Sequence, residues 1–327
     1  MKYTIAAALI SLLTALFLTP LIKNFAIKRG IVAKPGGRRI HDRPTPLLGG
    51  VAMYAGFVIA VIAILIASKQ YVLDKNIIGI LIGCTFVALM GVLDDKYELP
   101  GWVQAGSIIV AAGILIAFNI RIMSFTNPFM GGKTINIGLW FSIPATILWI
   151  LMVTKAVDCM DGMDGLAAGI SAIAAGTLML MALNAAPKSV FMIKQIHNSA
   201  ILSAAIFGAC IGFLRYNYPP AKIFMGTVGS QFLGFSLAAV SLAGTFKIAT
   251  LIAFAAPVLV LGVPLFDTTF VVLKRMVDGK AIHEADKTHL HHRLQDKGLT
   301  TRQVIWTIYG ITFALCAAGY YMFMHVK

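Results

Sequence analysis

The residues able to do chemistry in this sequence sit in a few short motifs, and carboxylates dominate them. Asp94 and Asp95 are adjacent in Gly91-Val-Leu-Asp-Asp-Lys-Tyr-Glu-Leu-Pro100, where neighbouring carboxylates repel unless a cation or a basic group offsets them. The pair suits metal or diphosphate chemistry; a solvated helix end before the Pro100-Gly101 turn is the plain structural alternative. Asp158, Asp161 and Asp164 follow at intervals of three in Lys155-Ala-Val-Asp-Cys-Met-Asp-Gly-Met-Asp-Gly-Leu166. If helical, that spacing puts the three within about a 120° arc, and Gly162 and Gly165 let backbone approach a ligand closely. The ligand pattern of an EF-hand is absent, and three carboxylates between apolar runs are costly without a purpose.

Further motifs are basic or glycine-rich. In Arg215-Tyr-Asn-Tyr-Pro-Pro-Ala-Lys-Ile-Phe-Met-Gly-Thr-Val-Gly-Ser-Gln231 the glycines at 226 and 229 lead into an apolar run, a turn-to-helix start that can present backbone N–H groups to phosphate. A tight turn capped by Ser230 is the alternative. Lys34-Pro-Gly-Gly-Arg-Arg-Ile-His41 is a basic loop, and His283-Glu-Ala-Asp-Lys-Thr-His-Leu-His-His-Arg293 carries four histidines. No cysteine accompanies them and HExxH is missing, so phosphate contacts and proton handling fit better than zinc. Asp267, in Pro264-Leu-Phe-Asp-Thr268, lies inside an apolar stretch. A helix carboxylate there costs about 2.5–3.5 kcal/mol, so a partner or a water-lined cavity is expected.

The elements that must position these residues follow from composition. The 327 residues are 59% hydrophobic and 12% charged, with a mean hydropathy of +0.85, which excludes a soluble globular enzyme. Apolar runs long enough to cross a bilayer fall at about 4–22, 48–68, 76–93, 103–120, 139–156, 165–184, 199–214, 230–246, 250–272 and 304–324. The sequence therefore predicts an all-α integral membrane protein of about ten transmembrane helices, one multispan domain over residues 1–327. The first run has only Lys2 before it and Lys23, Lys28 and Arg29 after it, the reverse of a signal peptide, so it is expected to be retained.

With ten spans, the loops 23–47, 94–102, 155–164, 215–229 and 273–303 share one side. They hold eighteen of the 27 basic residues, which predicts that this side is cytoplasmic and that both termini lie outside. Twelve of the thirteen acidic residues fall on or near the same face, Asp74 being the exception, and five of the seven histidines join them. Such a face suits an anionic, metal-bound substrate; a transporter would instead place polar groups near the midplane. The net charge of +14 reads as topology signal and anion contacts, not nucleic-acid binding. The four cysteines, at 84, 159, 210 and 316, form neither a disulfide framework nor a CxxC site.

In this order the motifs resemble the polyprenyl-phosphate N-acetylhexosamine-1-phosphate transferases, the WecA/TagO-like branch of the superfamily that includes MraY. The resemblance spans nearly the whole chain and rests on KPxxRRxH with a following GG, the LDD pair, DGMDGLAAG, FMGxxGSxxLG, PLFDT and HxxDxxHLHHRL. It implies ten helices, a cytoplasmic active site in a bacterial-type inner membrane, and Mg²⁺ or Mn²⁺. The implied reaction moves a sugar-1-phosphate from a UDP-amino sugar to polyprenyl phosphate, with release of UMP, as the first membrane step of a cell-envelope glycan pathway. By that resemblance Asp94 and Asp95 orient or activate the lipid phosphate and organise the metal, while Asp161 and Asp164 help place the nucleotide. Lys34, Arg38, His41, Asp267, His289, His291, His292 and Arg293 make up the substrate-binding set. The resemblance also allows a homodimer.

This chain departs from the family pattern at several positions. Relatives usually have Asn at the positions of Lys155 and Asp158, and Asp at the position of Thr227, where a metal ligand is expected; Ala33 replaces a frequent acidic residue. One reading is that the carboxylate has moved, Asp158 joining Asp94 as a metal ligand with Thr227 offering a neutral oxygen. The other is a chain disabled or engineered at residue 227. The HLHHRL ending resembles transferases for UDP-GlcNAc or related simple amino sugars more than MraY. A nucleotide-sugar or lipid-phosphate transporter and a non-catalytic lipid-carrier binding protein are the alternatives from other classes.

Overall fold

In a computed structural model of the chain the described residues are 1–33, 44–68, 74–127, 133–185, 190–243, 258–277 and 289–325. Their helices are α1 (Lys2–Lys28), α2 (Gly49–Ala67), α3 (Lys75–Tyr97), α4 (Gly101–Ala117), α5 (Leu139–Met160), α6 (Leu166–Asn184), α7 (Val190–Asn217), α8 (Gly226–Ala243), α9 (Gly262–Val277), α10 (Leu290–Asp296) and α11 (Thr301–His325). Eight of them, α1 to α3, α5 to α8 and α11, are long and apolar enough to cross a membrane, and α4 is a shorter apolar helix. The chain is an all-α multi-pass membrane protein. The expected run at 250–272 is described only from residue 258 onward, where α9 begins at Gly262.

The helices are packed in the way a lipid solvent demands. On α1 the buried positions are Thr4, Ala7, Ser11, Ala15, Thr19 and Ala26, while Ile5, Leu9, Leu13, Phe17 and Leu21 point outward. Large apolar side chains lose nothing by facing lipid, whereas small ones let backbones come close. Ser11 Oγ accordingly reaches across to the Ala205 carbonyl of α7 at 2.7 Å. At the other extreme every residue of α8 except Thr227 is buried, and α2, α3, α5, α6 and α7 pack around it. Trp102 at the start of α4 and Trp140 at the start of α5 are exposed, a position that suits an amphipathic ring at a membrane–water boundary.

Two features differ from the sequence reading. Helices α3 and α5 run on through Tyr97 and Met160, so Asp94, Asp95, Lys155 and Asp158 belong to helix ends and not to loops. Two small antiparallel pairs also interrupt the helical pattern, β1 (Val32–Ala33) with β2 (Thr45–Pro46), and β3 (Ser124–Asn127) with β4 (Lys133–Asn136). The β1–β2 pair closes the base of the basic loop. Its exit is stitched to the segment ahead of α8, through Phe224 N–H to Pro46 O at 2.9 Å, Gly49 N–H to Phe224 O at 2.9 Å and Gly50 N–H to Met225 O at 2.8 Å. Lys34, Arg38 and His41, like His283 and Asp286, lie outside the described residues.

Candidate active site

The site is assembled at the end of the bundle where α3 and α5 finish and α4, α6 and α8 begin. Asp94 is buried on the last turn of α3. Its Oδ1 accepts hydrogen bonds from Leu99 N–H at 3.0 Å and Gln104 Nε2 at 2.9 Å. The chain can turn back to make the first of these because Glu98 adopts a left-handed conformation, φ 51°. Asp95 points the other way, onto the start of α8, where it accepts Thr227 N–H at 2.7 Å and Val228 N–H at 3.4 Å. A carboxylate on the unpaired amides of a helix N-terminus is favourable in hydrogen bonding and in dipole. Gly226 makes room for it: its φ is 69°, and a Cβ there would collide with the Asp95 carboxylate.

Asp158, on the last turn of α5, is held by two donors, Lys155 Nζ at 3.0 Å on Oδ2 and Ser230 Oγ on Oδ1. Lys155 Nζ also donates to Gln104 Oε1 at 2.6 Å. Beyond Met160 the helix ends, with Asp161 as its C-cap. Asp158, Asp161 and Asp164 therefore do not line one helical face. Asp164 lies in the following turn and accepts Ala221 N–H at 2.8 Å on Oδ2. That turn is fixed by Asn217, whose Oδ1 accepts Gly165 N–H at 3.0 Å and whose Nδ2 donates to Ile223 O at 3.0 Å.

The histidine motif closes the site. Asp267 on α9 finds the expected partner there: its Oδ2 lies 2.8 Å from His289 Nδ1 and its Oδ1 accepts Leu290 N–H at 2.7 Å. His289 stacks on His291, and His291 meets His292 with centroids 4.2 Å apart. His291 is 1% exposed, and neither of its ring nitrogens has a hydrogen-bond partner among the described residues. Its Nε2 faces Gly162, where an added Cβ would come within 2.8 Å, so the histidine motif packs on the Asp161–Gly165 turn. Burial, with the neighbouring His292 and His289, pushes the His291 pKa down to about 4; the ring is neutral at neutral pH and holds one N–H to donate. Arg293 turns aside, its guanidinium 5.0 Å from the Phe270 ring.

Asp94, Asp95, Asp158 and Thr227 are thus brought together through named contacts, and Asp164, Asp267, His289 and His291 through a second set. Gln104 and Asn217 carry no site signal in the sequence beyond an uncharged polar residue in or beside an apolar run. Ser230, expected as a turn cap, lies inside α8 and instead holds Asp158. A cavity of about 510 Å³ opens beside Gly162, Asp164, Pro219, Gln295 and Arg302.

Among the described residues no three histidine, cysteine or acidic side chains converge into a cage. Mg²⁺, however, usually takes one or two carboxylates and completes its shell with water and substrate phosphates. Both hydrogen bonds to Asp94 fall on Oδ1, which turns Oδ2 over to other uses. The residues fit an ion held jointly with a phosphate ligand and not one caged by protein alone.

Comparison with known proteins gives the class. Residues 77–245 match glycosyl transferase family 4, and the chain belongs to that family. It is 38% identical, over 94% of its length and 82% of the relative's, to the "probable undecaprenyl-phosphate N-acetylglucosaminyl 1-phosphate transferase" of Bacillus subtilis. It is 30% identical, over 92% of its length and 80% of the relative's, to the decaprenyl-phosphate N-acetylglucosaminephosphotransferase of Mycobacterium leprae. A phospho-N-acetylmuramoyl-pentapeptide-transferase of Halalkalibacterium halodurans is 26% identical over 94% of both chains.

Proposed function

We propose that this protein transfers N-acetylglucosamine-1-phosphate from UDP-N-acetylglucosamine to a polyprenyl phosphate and releases UMP. The observation that carries the reading is similarity over 94% of the chain to a relative bearing that transferase name; the clustering of the acidic, glycine and histidine motifs at one end of the bundle supports it. A phosphate oxygen of the lipid attacks the sugar-bearing phosphorus, a new P–O bond forms, and the P–O bond to the bridging oxygen breaks as UMP leaves. Both reactants are anions, so positioning and charge compensation supply most of the acceleration.

Asp94, on the last turn of α3, would hold the lipid phosphate and a Mg²⁺ ion, with Asp158 and Thr227 beside it. When bound, the ion offsets charge on the diphosphate. Asp95 keeps α3 and α8 in register through Thr227 and Val228. Asp161 and Asp164 hold the turn against which the nucleotide rests. His291 gives its neutral N–H to a phosphate oxygen, and Asp267 fixes the tautomer of His289 so that Nε2 faces the substrate. His292, Lys34, Arg38 and His41 complete the anion contacts, which Arg293 would join only by leaving the Phe270 ring. The site faces the cytoplasm on the count of basic residues.

The test is formation of the lipid-linked sugar diphosphate by purified protein in detergent, followed by mass spectrometry with and without Mg²⁺. Product that depends on the metal and disappears in Asp94→Asn is the expected result. No product from several UDP-amino sugars, alongside product from Thr227→Asp, would make this chain a disabled member of its family.

A further inference from the structure

Lys155 stands where two parts of the site meet. Its ammonium donates to Asp158 Oδ2 at 3.0 Å and to Gln104 Oε1 at 2.6 Å. The Gln104 amide is thereby polarised in one sense only: with its oxygen accepting from Lys155, its Nε2 is left to donate to Asp94 Oδ1, as it does at 2.9 Å. On the far side Ser230 holds the second oxygen of Asp158. One ammonium thus ties the ends of α3, α4, α5 and α8 together, with a carboxylate at each end of the chain of bonds. The Lys155 and Asp158 side chains are 28% and 21% exposed, sheltered enough that solvent screens the charges incompletely.

We propose that Lys155 is a positioning residue of this site, its ammonium acting as a tethered cation that holds Asp94 and Asp158 in place and competes with a divalent metal ion for them. An ion entering near Asp158 must displace or repel this fixed positive charge. Without the ammonium, the two carboxylates would lack their internal counter-charge, and an ion from solution would take its place. The inference rests on the reading above in one respect, that the site takes a divalent ion at all.

The experiment is a Mn²⁺ titration of the full chain in detergent, followed by electron paramagnetic resonance, for wild type, Lys155→Asn and Lys155→Gln. The glutamine variant can still hydrogen-bond Gln104 and Asp158 and protects the test against loss of fold. A neighbouring charge at this range alters cation binding by a factor of about 10 or more, so both variants are expected to bind Mn²⁺ at least about tenfold more tightly than wild type. In EDTA both should melt at lower temperature than wild type, with Mn²⁺ removing the difference. Mn²⁺ affinity that is unchanged or weaker in the variants, or absent from all three proteins, overturns the proposal. Product formation by wild type decides the transferase reading separately, since the titration needs no turnover.

Discussion

The two sides of the site are finished to different degrees. On the carboxylate side most oxygens meet donors from the protein itself: Asp94 meets Leu99 and Gln104 through Oδ1, Asp95 the amides of Thr227 and Val228, and Asp158 meets Lys155 and Ser230, with Asp94 Oδ2 left for the proposed ligand. On the histidine side His291 is buried with both nitrogens unmatched among the described residues. An unmatched buried polar group costs about 1–3 kcal/mol. The difference separates a framework that sets helix positions from a buried ring whose nitrogens the proposed phosphate contact would satisfy. Changes on the first side should cost stability as well as activity; changes at His291 should cost activity alone.

Asp94→Asn gives the largest expected loss. It keeps the side chain's size but removes the charge nearest the proposed phosphate site, and UMP release should fall by about 100-fold or more. Residual activity within threefold of wild type would remove Asp94 from the reaction. Next is Gly226→Ala, which forces a left-handed conformation on a residue with a Cβ and drives that Cβ into Asp95. A cost of about 1–3 kcal/mol should appear as a lower melting temperature in detergent, and an unshifted melt would mean that α8 is not seated on Asp95.

Thr227→Asp sharpens the comparison from the framework side. A second carboxylate would replace the Thr227 side chain beside the partly buried Asp95, so in EDTA the variant should melt below wild type and regain stability with Mg²⁺. It should also show no large gain in turnover; a large gain would mean that the chain lacks a metal ligand that neither Asp158 nor Thr227 supplies. A smaller effect is expected from pH. With its pKa lowered to about 4 against about 6.5 when unfolded, His291 resists protonation only in the folded state. Its contribution is therefore undiminished above about pH 6.5 and is lost as pH falls toward 4. His291→Gln should flatten the fall in melting temperature across that window, and an identical pH profile would assign the fall to other groups.

Much of this was legible in the sequence because a bilayer enforces about 20 apolar residues per crossing, and α1, α2, α3, α5, α6, α7 and α11 announce themselves that way. Where helices end was less legible: Asp94 and Asp158 look like loop residues until Gln104, Lys155 and Ser230 are seen to satisfy them inside the bundle. The partner of Asp267 was foreseen as a need, while its identity, His289, depends on how α9 and α10 pack. Asn217 and Gln104 gave almost no warning, since one neutral amide carries little signal until tertiary packing supplies both of its partners. The pairs β1–β2 and β3–β4 are too short for any alternation to show.

The most direct measurement is UMP release and melting temperature on the same preparations of wild type and His291→Ala, with UDP-N-acetylglucosamine, polyprenyl phosphate and Mg²⁺. The account predicts release by wild type, a loss of about 10- to 100-fold in the variant, and a melting temperature that holds or rises. A wild type that releases no UMP, or a variant that matches wild-type release while its melting temperature collapses, would contradict it.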